Sequence, residues 1–182
     1  MTSNPYAPPL VAVEDVETSA ATTLPPFFAV APWKLALMSL CTAGLYEVFW
    51  FYKHWRRIKQ REKARLMPAP RAIFSVLFCY ACFKRIAKYE TAGQPYAPLK
   101  AGALATGWIL CTLLSKLPSP FLFVSLIAFV FLMPVQAHAN RINALEAPGH
   151  DRNDRLTLWN WLLILPCSAL LLLIVAALII AG

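Results

Sequence analysis

Apolar positions in this chain gather into long runs, without the alternation of a half-buried strand or the single stripe of a soluble surface helix. The runs fall at 33–52, 72–83, 101–117, 121–137 and 158–180, with polar residues collected between them. About 20 helical residues rising 1.5 Å each cover about 30 Å, the thickness of a bilayer's hydrocarbon core. The pattern therefore predicts an all-α, polytopic membrane helix bundle with four spanning helices at about 33–52, 101–117, 121–137 and 158–180. The run at 72–83 is too short for a comfortable span. With its basic continuation it reads as one re-entrant or interfacial helix over 72–89.

Residues at the ends of the runs support this division. Pro32 is placed to start a helix, and Trp33 with Lys34 forms one interfacial anchor, with Trp50, Tyr52 and Trp55 at the other end. The first helix is expected to continue as a basic arm to about Arg65, stopped by Pro68 and Pro70. LPSP at 117–120 reads as a tight turn, Pro134 as a kink in the third span, and Trp159 with Trp161 as the opening of the fourth. Residues 1–31 are rich in Pro, Thr and Ala and carry only Glu14, Asp15 and Glu17 as charges. They read as a disordered acidic tail whose Phe27 and Phe28 touch the interface, leaving 32–182 as the membrane domain.

Composition agrees with a membrane class. Hydrophobic residues make up 59% of the 182 and charged residues 14%, against roughly 45–50% and about 25% in soluble domains. The net charge of +8 lies mostly beside apolar runs, so anionic phospholipid headgroups are the expected partner and nucleic acid is not. The first 20 residues lack a basic start and a continuous apolar core, so no cleavable signal peptide is expected. Cys41, Cys79, Cys82, Cys111 and Cys167 all sit in apolar runs and read as small hydrophobes.

Charge also sets the expected topology. If 72–89 does not cross, segments 53–100 and 138–157 share one side, with twelve and three of the seventeen basic residues. The positive-inside rule makes that side cytoplasmic, with both termini outside. Three segments exit the apolar runs through one pattern, Arg-Ile-x-x-x-Glu: Arg57, Ile58 and Glu62; Arg85, Ile86 and Glu90; Arg141, Ile142 and Glu146. Each reads as a short amphipathic arm with Arg toward phosphates, Ile packed inward, and Glu one turn on where a neighbouring arm's Arg can pair with it. Three such arms would make a cytoplasmic collar. The lipid- or partner-binding residues are expected to be Lys53, Arg56, Arg57, Lys59, Arg61, Lys84, Arg85, Lys88 and Arg141.

Glu47 is the intramembrane polar residue, six positions before Lys53. A carboxylate at that depth is costly unless paired or protonated, which makes it a candidate for proton or cation movement or for a structural pair. Cys79-Tyr80-Ala81-Cys82 forms a CxxC, but it lies in an apolar run without a second pair of ligands and reads as packing. His138 with Asn140, and His150 with Asp151 and Asp154, are the other polar clusters. The latter group reads as a turn in which Asp154 caps the last helix. Ala101, Gly102, Ala105 and Gly107 make 101–117 suited to close helix packing, within the bundle or between copies. No hydrolase elbow, zinc-protease motif or phosphate loop occurs, and neither a cofactor nor a metal is expected.

The stretch TAGLYEVFWFYK at 42–53 resembles a motif, T-x-G-[LI]-Y-x-x-[FY]-W-x-Y-[KR], of an uncharacterised bacterial family of small multi-pass inner-membrane proteins, a domain of unknown function. HWRRIK after it fits as well, and FCYACFKRI and NRINALEAPG resemble longer members. The resemblance implies a bacterial inner-membrane location and no activity. The leading expectation is a non-catalytic membrane scaffold, regulator or accessory subunit. Its basic cytoplasmic face would hold anionic lipid, another membrane protein or a second copy. The alternative is a small transporter or channel component using Glu47. A lipid-modifying enzyme using His138 or His150 is a third reading, sunk by full activity of both His→Ala variants.

Overall fold

The computed structural model describes residues 24–89, 99–117 and 121–181. Among these, the regular elements are all helical: α1 (Pro32–Cys41), α2 (Leu45–Glu62), α3 (Pro68–Ile73), α4 (Ser75–Ala87), α5 (Ala101–Leu114), a 3₁₀ segment (Phe121–Phe131), α6 (Leu132–Glu146) and α7 (Leu158–Ala181). The all-α expectation holds. Among the described residues one helix, α7, is long and apolar enough to cross a bilayer, by length and composition.

The largest departure from the sequence pattern is at 33–52, which is a hairpin and not a single straight helix. Ala43 and Gly44 both take positive φ, 48° and 87°, and two left-handed residues in succession reverse the chain. Thr42 joins the two helices: its hydroxyl donates to Met38 O at 2.7 Å and accepts from Tyr46 N at 3.0 Å. α1 then lies back along α2. Phe28, just before α1, packs edge-on against Phe49 and His54 of α2, with ring centroids 6.0 Å apart in each case. Both ends of the expected first span therefore lie together, at the end where the basic arm begins.

Lys34 confirms the reversal. It is buried, and its ammonium donates to Asn153 Oδ1 at 2.8 Å and to Arg155 O at 2.6 Å. The expected anchor on the far side is thus bound to the 147–157 loop, beside the other basic residues. The placement of the N-terminal tail opposite the basic face is corrected for residues 24–31 by the same contacts.

α2 ends at Lys63, a left-handed C-cap with φ 45°, slightly before the expected Arg65. Pro68 opens α3, which packs along α2, and a break at Phe74 leads into α4. Region 68–87 is a second short hairpin. α5 runs from the basic end toward the hairpin tips, and the 3₁₀ segment packs closely on its return. Gly107 of α5 faces the Phe131 ring so closely that a Cβ would overlap it, whereas a Cβ on Gly102 would meet only Tyr80, at 3.6 Å. The helix continuing from the 3₁₀ segment runs on past residue 137 as α6 to Glu146, carrying the Arg141–Glu146 arm as helix. At the start of α7, Asn160 Oδ1 accepts from Thr157 N and Thr157 Oγ1 at 3.1 and 2.6 Å. These residues organise the helix start in place of Asp154. Residues 118–120 of the LPSP turn, the tail at 1–23 and the loop at 90–98 lie outside the described residues.

Three carboxamides on α6, Gln136, Asn140 and Asn143, hold residues 27–30 in extended form. Asn143 accepts from Phe27 N at 3.0 Å and donates to Phe27 O at 3.1 Å. Asn140 donates to Val30 O at 2.8 Å and Gln136 to Phe28 O at 3.0 Å. Asn153 adds a bond to Ala29 O at 3.1 Å. A spacing of four and three places the three α6 residues on one helix face, so the peptide groups of a non-helical strap find partners inside the protein. Phe27 and Val30 are fully buried. The expected disordered tail accordingly does not include residues 24–31.

Gln136 Oε1 is also the acceptor for Trp50 Nε1 at 2.6 Å and lies 3.2 Å from His54 Nε2. His54 is fully buried among Phe27, Phe28 and Trp50. Burial lowers its pKa from 6.5 to about 3, partly offset by the Gln136 bond. It is therefore neutral in the fold and protonates normally when unfolded. Its contribution is complete above about pH 6.5 and is lost as pH falls toward 3. Burial and Arg141 shift His138 the same way. Thermal unfolding in detergent should show Tm falling between pH 6.5 and pH 4, with a shallower fall in His54→Gln; a Tm independent of pH in that window would refute this.

Candidate functional site

The expected arms come together as a collar. Ile58, Ile86 and Ile142 are all fully buried in one core. Glu62 of the first arm receives Arg85 of the second at 2.8 Å and its neighbour Arg61 at 3.0 Å. Glu146 of the third arm shares a cleft with Arg57 and Arg61. Glu90 lies outside the described residues.

The basic residues divide by what they touch. The Arg61 guanidinium lies between the Phe27 and Tyr89 rings, 4.7 and 4.8 Å from their centroids. Arg85 stands 5.5 Å over Trp55 while it pairs with Glu62. These two cations build the fold. Lys53 and Arg57 are half-buried, and the Lys53 ammonium sits 5.1 Å over Phe49. Desolvation, then like charges, lower the pKa of both: Arg56 and Arg57 act on Lys53, and Arg56 acts on Arg57. Arg56, Lys59, Lys84, Lys88 and Arg141 are exposed. Lys84 and Lys88 line one cleft with Arg61 and Arg85, and Arg56 and Lys59 line another with Lys63. Arg141 does not line these clefts.

Arg71 was not anticipated. It is held between Trp55 and Phe78, 4.7 and 4.9 Å from the two ring centroids, in a cation–π sandwich that also closes α3 onto α2. The signal in the sequence is slight: a single Arg between one Pro-flanked alanine and an apolar run.

Glu47 lies away from the collar, in the first turn of α2, and is almost fully buried. Trp108 Nε1 of α5 donates to its Oε2 at 2.6 Å, while Oε1 is buried with no hydrogen-bond partner. Both residues border a cavity of about 350 Å³ between the α1–α2 turn, α5, the 3₁₀ segment and α7. Cys79 and Cys82 are free, fully buried thiols in the core. His150 Nδ1 lies 2.6 Å from Ala147 O, and Asp151 accepts from Asn153 N at 2.8 Å, as in a turn. Among the described residues no three His, Cys, Asp or Glu side chains converge as a metal site would need.

Comparison with protein-family models, curated proteins and solved structures gave no match.

Proposed function

We propose that this chain is a non-catalytic integral protein of a bacterial inner membrane whose basic face holds anionic phospholipid headgroups or an acidic protein partner. It would act there as a scaffold, regulator or accessory subunit. The observation that carries this reading is the crowding of exposed cations at one end of the bundle. Arg56, Lys59, Lys63, Lys84 and Lys88 stand there exposed, with Glu62 already shared by Arg61 and Arg85. Each such cation near an anionic surface contributes about 1 kcal/mol of attraction.

The membrane arrangement in this proposal has three crossings. α7 has 24 residues, about 36 Å of helix. The 11-residue 3₁₀ segment covers about 22 Å because it rises about 2.0 Å per residue. The first turns of α6 complete that crossing, and α5 with the residues after it makes the third. The α1–α2 and α3–α4 hairpins would enter from the cytoplasmic side and return to it. With Lys34 beside Arg155, sixteen of the seventeen basic residues fall on that side, and Lys116 alone lies across. The motif resemblance at 42–53 supports the same location.

Neutralising Arg56, Lys59, Lys84 and Lys88 together to Gln should weaken phosphatidylglycerol binding at least tenfold. The measurement is lipid titration of the purified protein in neutral detergent, followed by native mass spectrometry, with phosphatidylcholine as control. Equal affinity of the wild type for the two lipids would sink the proposal.

A second reading, a small transporter or channel component using Glu47, draws support from the unpartnered Glu47 Oε1 beside a cavity. Glu47→Gln should then abolish solute flux in proteoliposomes while leaving phosphatidylglycerol binding intact.

A further inference from the structure

The cavity beside Glu47 has a chemical polarity of its own. α5 presents Trp108, Thr112 and Ser115 to it, spaced four and three apart and so on one helix face. The Trp108 N–H is committed to Glu47 Oε2 at 2.6 Å. The Thr112 hydroxyl donates to Trp108 O at 2.9 Å, and the Ser115 hydroxyl to Thr112 O at 2.7 Å. Each hydroxyl hydrogen is thus used inside α5, and what remains on both oxygens is acceptor capacity. Glu47 Oε1, buried and unpartnered, adds a third acceptor. Its position in the first turn of α2 sets it at the positive end of the helix dipole, which offsets part of the desolvation that burial imposes on an ionised carboxylate.

Apart from Ser75 of α4 and Lys116, the rest of the wall is apolar, with Val48, Leu126, Leu171 and Ile174. Lys116 lines the cavity but is exposed, and makes no ion pair with Glu47. A volume of about 350 Å³ is within the range of small-ligand sites.

We propose that this cavity binds a primary ammonium group carried on an apolar body, with the ammonium on Glu47 Oε1 and the chain against α7. Three N–H donors match one charged and two neutral acceptors, and the charged bond is the strong one. Two sources present this chemistry: a free amphiphilic amine, or the ethanolamine headgroup of a membrane phospholipid. The inference concerns the same cavity as the transporter reading but needs binding alone. Binding without flux would leave it standing and overturn only transport.

The test is calorimetric titration of n-hexylammonium into the full chain in phosphatidylcholine nanodiscs, with hexan-1-ol as the uncharged control. Saturable one-site binding is expected for the ammonium and none for the alcohol. Glu47→Gln keeps an acceptor for Trp108 and should weaken binding at least tenfold. Thr112→Val should weaken it several-fold, and decides the matter if the Glu47 variant does not fold by circular dichroism. Repeating the titration in phosphatidylethanolamine nanodiscs separates the sources. A weaker apparent affinity there assigns the site to the lipid headgroup, and an unchanged one to a free amine. No saturable ammonium binding, equal binding of the alcohol, or undiminished affinity in the variants would overturn the proposal.

Discussion

Asn143→Ala should lower stability by about 3 kcal/mol, a large share of the roughly 5–15 kcal/mol that typically holds a fold together. Asn143 is fully buried and satisfies both the N–H and the C=O of Phe27. Removing it leaves two buried backbone groups without partners, at about 1–3 kcal/mol each. The consequence reaches further than one bond pair, because Phe27 also packs on His54 and Tyr89 and carries Arg61 on its face. Releasing the strap should expose Arg61 and loosen the collar as well. Protease cleavage near residues 24–31 of the detergent-solubilised variant, compared with wild type, reads this directly. Equal protection would show that the carboxamide ladder does not hold the strap.

Gly107→Val should have the second-largest effect, about 2–3 kcal/mol of destabilisation, the usual cost of overpacking. Its side chain would enter space already held by the Phe131 ring, prising α5 from the 3₁₀ segment. Gly102→Ala is the matched control. Its added methyl meets only Tyr80 at 3.6 Å, and Ala is favoured over Gly in a helix by about 0.8–1.0 kcal/mol. Tm in detergent should therefore move in opposite directions for the two variants. A common direction would mean that close approach at Gly107 does not matter.

What the sequence made legible was local. Long apolar runs announced helices and Pro32 marked a helix start, whereas Pro68, read as a helix stop, in fact opens α3. The repeated Arg-Ile-x-x-x-Glu pattern foretold buried Ile58, Ile86 and Ile142 and the pairing of Arg85 with Glu62. The hairpin at 32–52 was hidden because one glycine in an apolar run is ordinary, and nothing in an alanine announces that Ala43 will take φ 48°. The strap was hidden for a different reason. Residues 24–31 lack the polar partners they need, and those partners arrive from α6, where Gln136, Asn140 and Asn143 looked like the polar end of a span. Glu47 was visible as an isolated acid. That Trp108 would satisfy one oxygen and leave the other without a partner, beside a cavity, depends on how α5 packs.

The strap also imposes an order of events on synthesis. Phe27 leaves the ribosome 116 positions ahead of Asn143, and at about 5–20 residues per second that is a delay of roughly 6–23 seconds. Throughout it, Phe27, Phe28 and Val30 have no α6 to receive them, and the nascent chain carries an adhesive apolar peptide at its leading end. Closure of this early segment must therefore wait for α6, and a chain stalled before α6 would present a ready target for quality-control proteases.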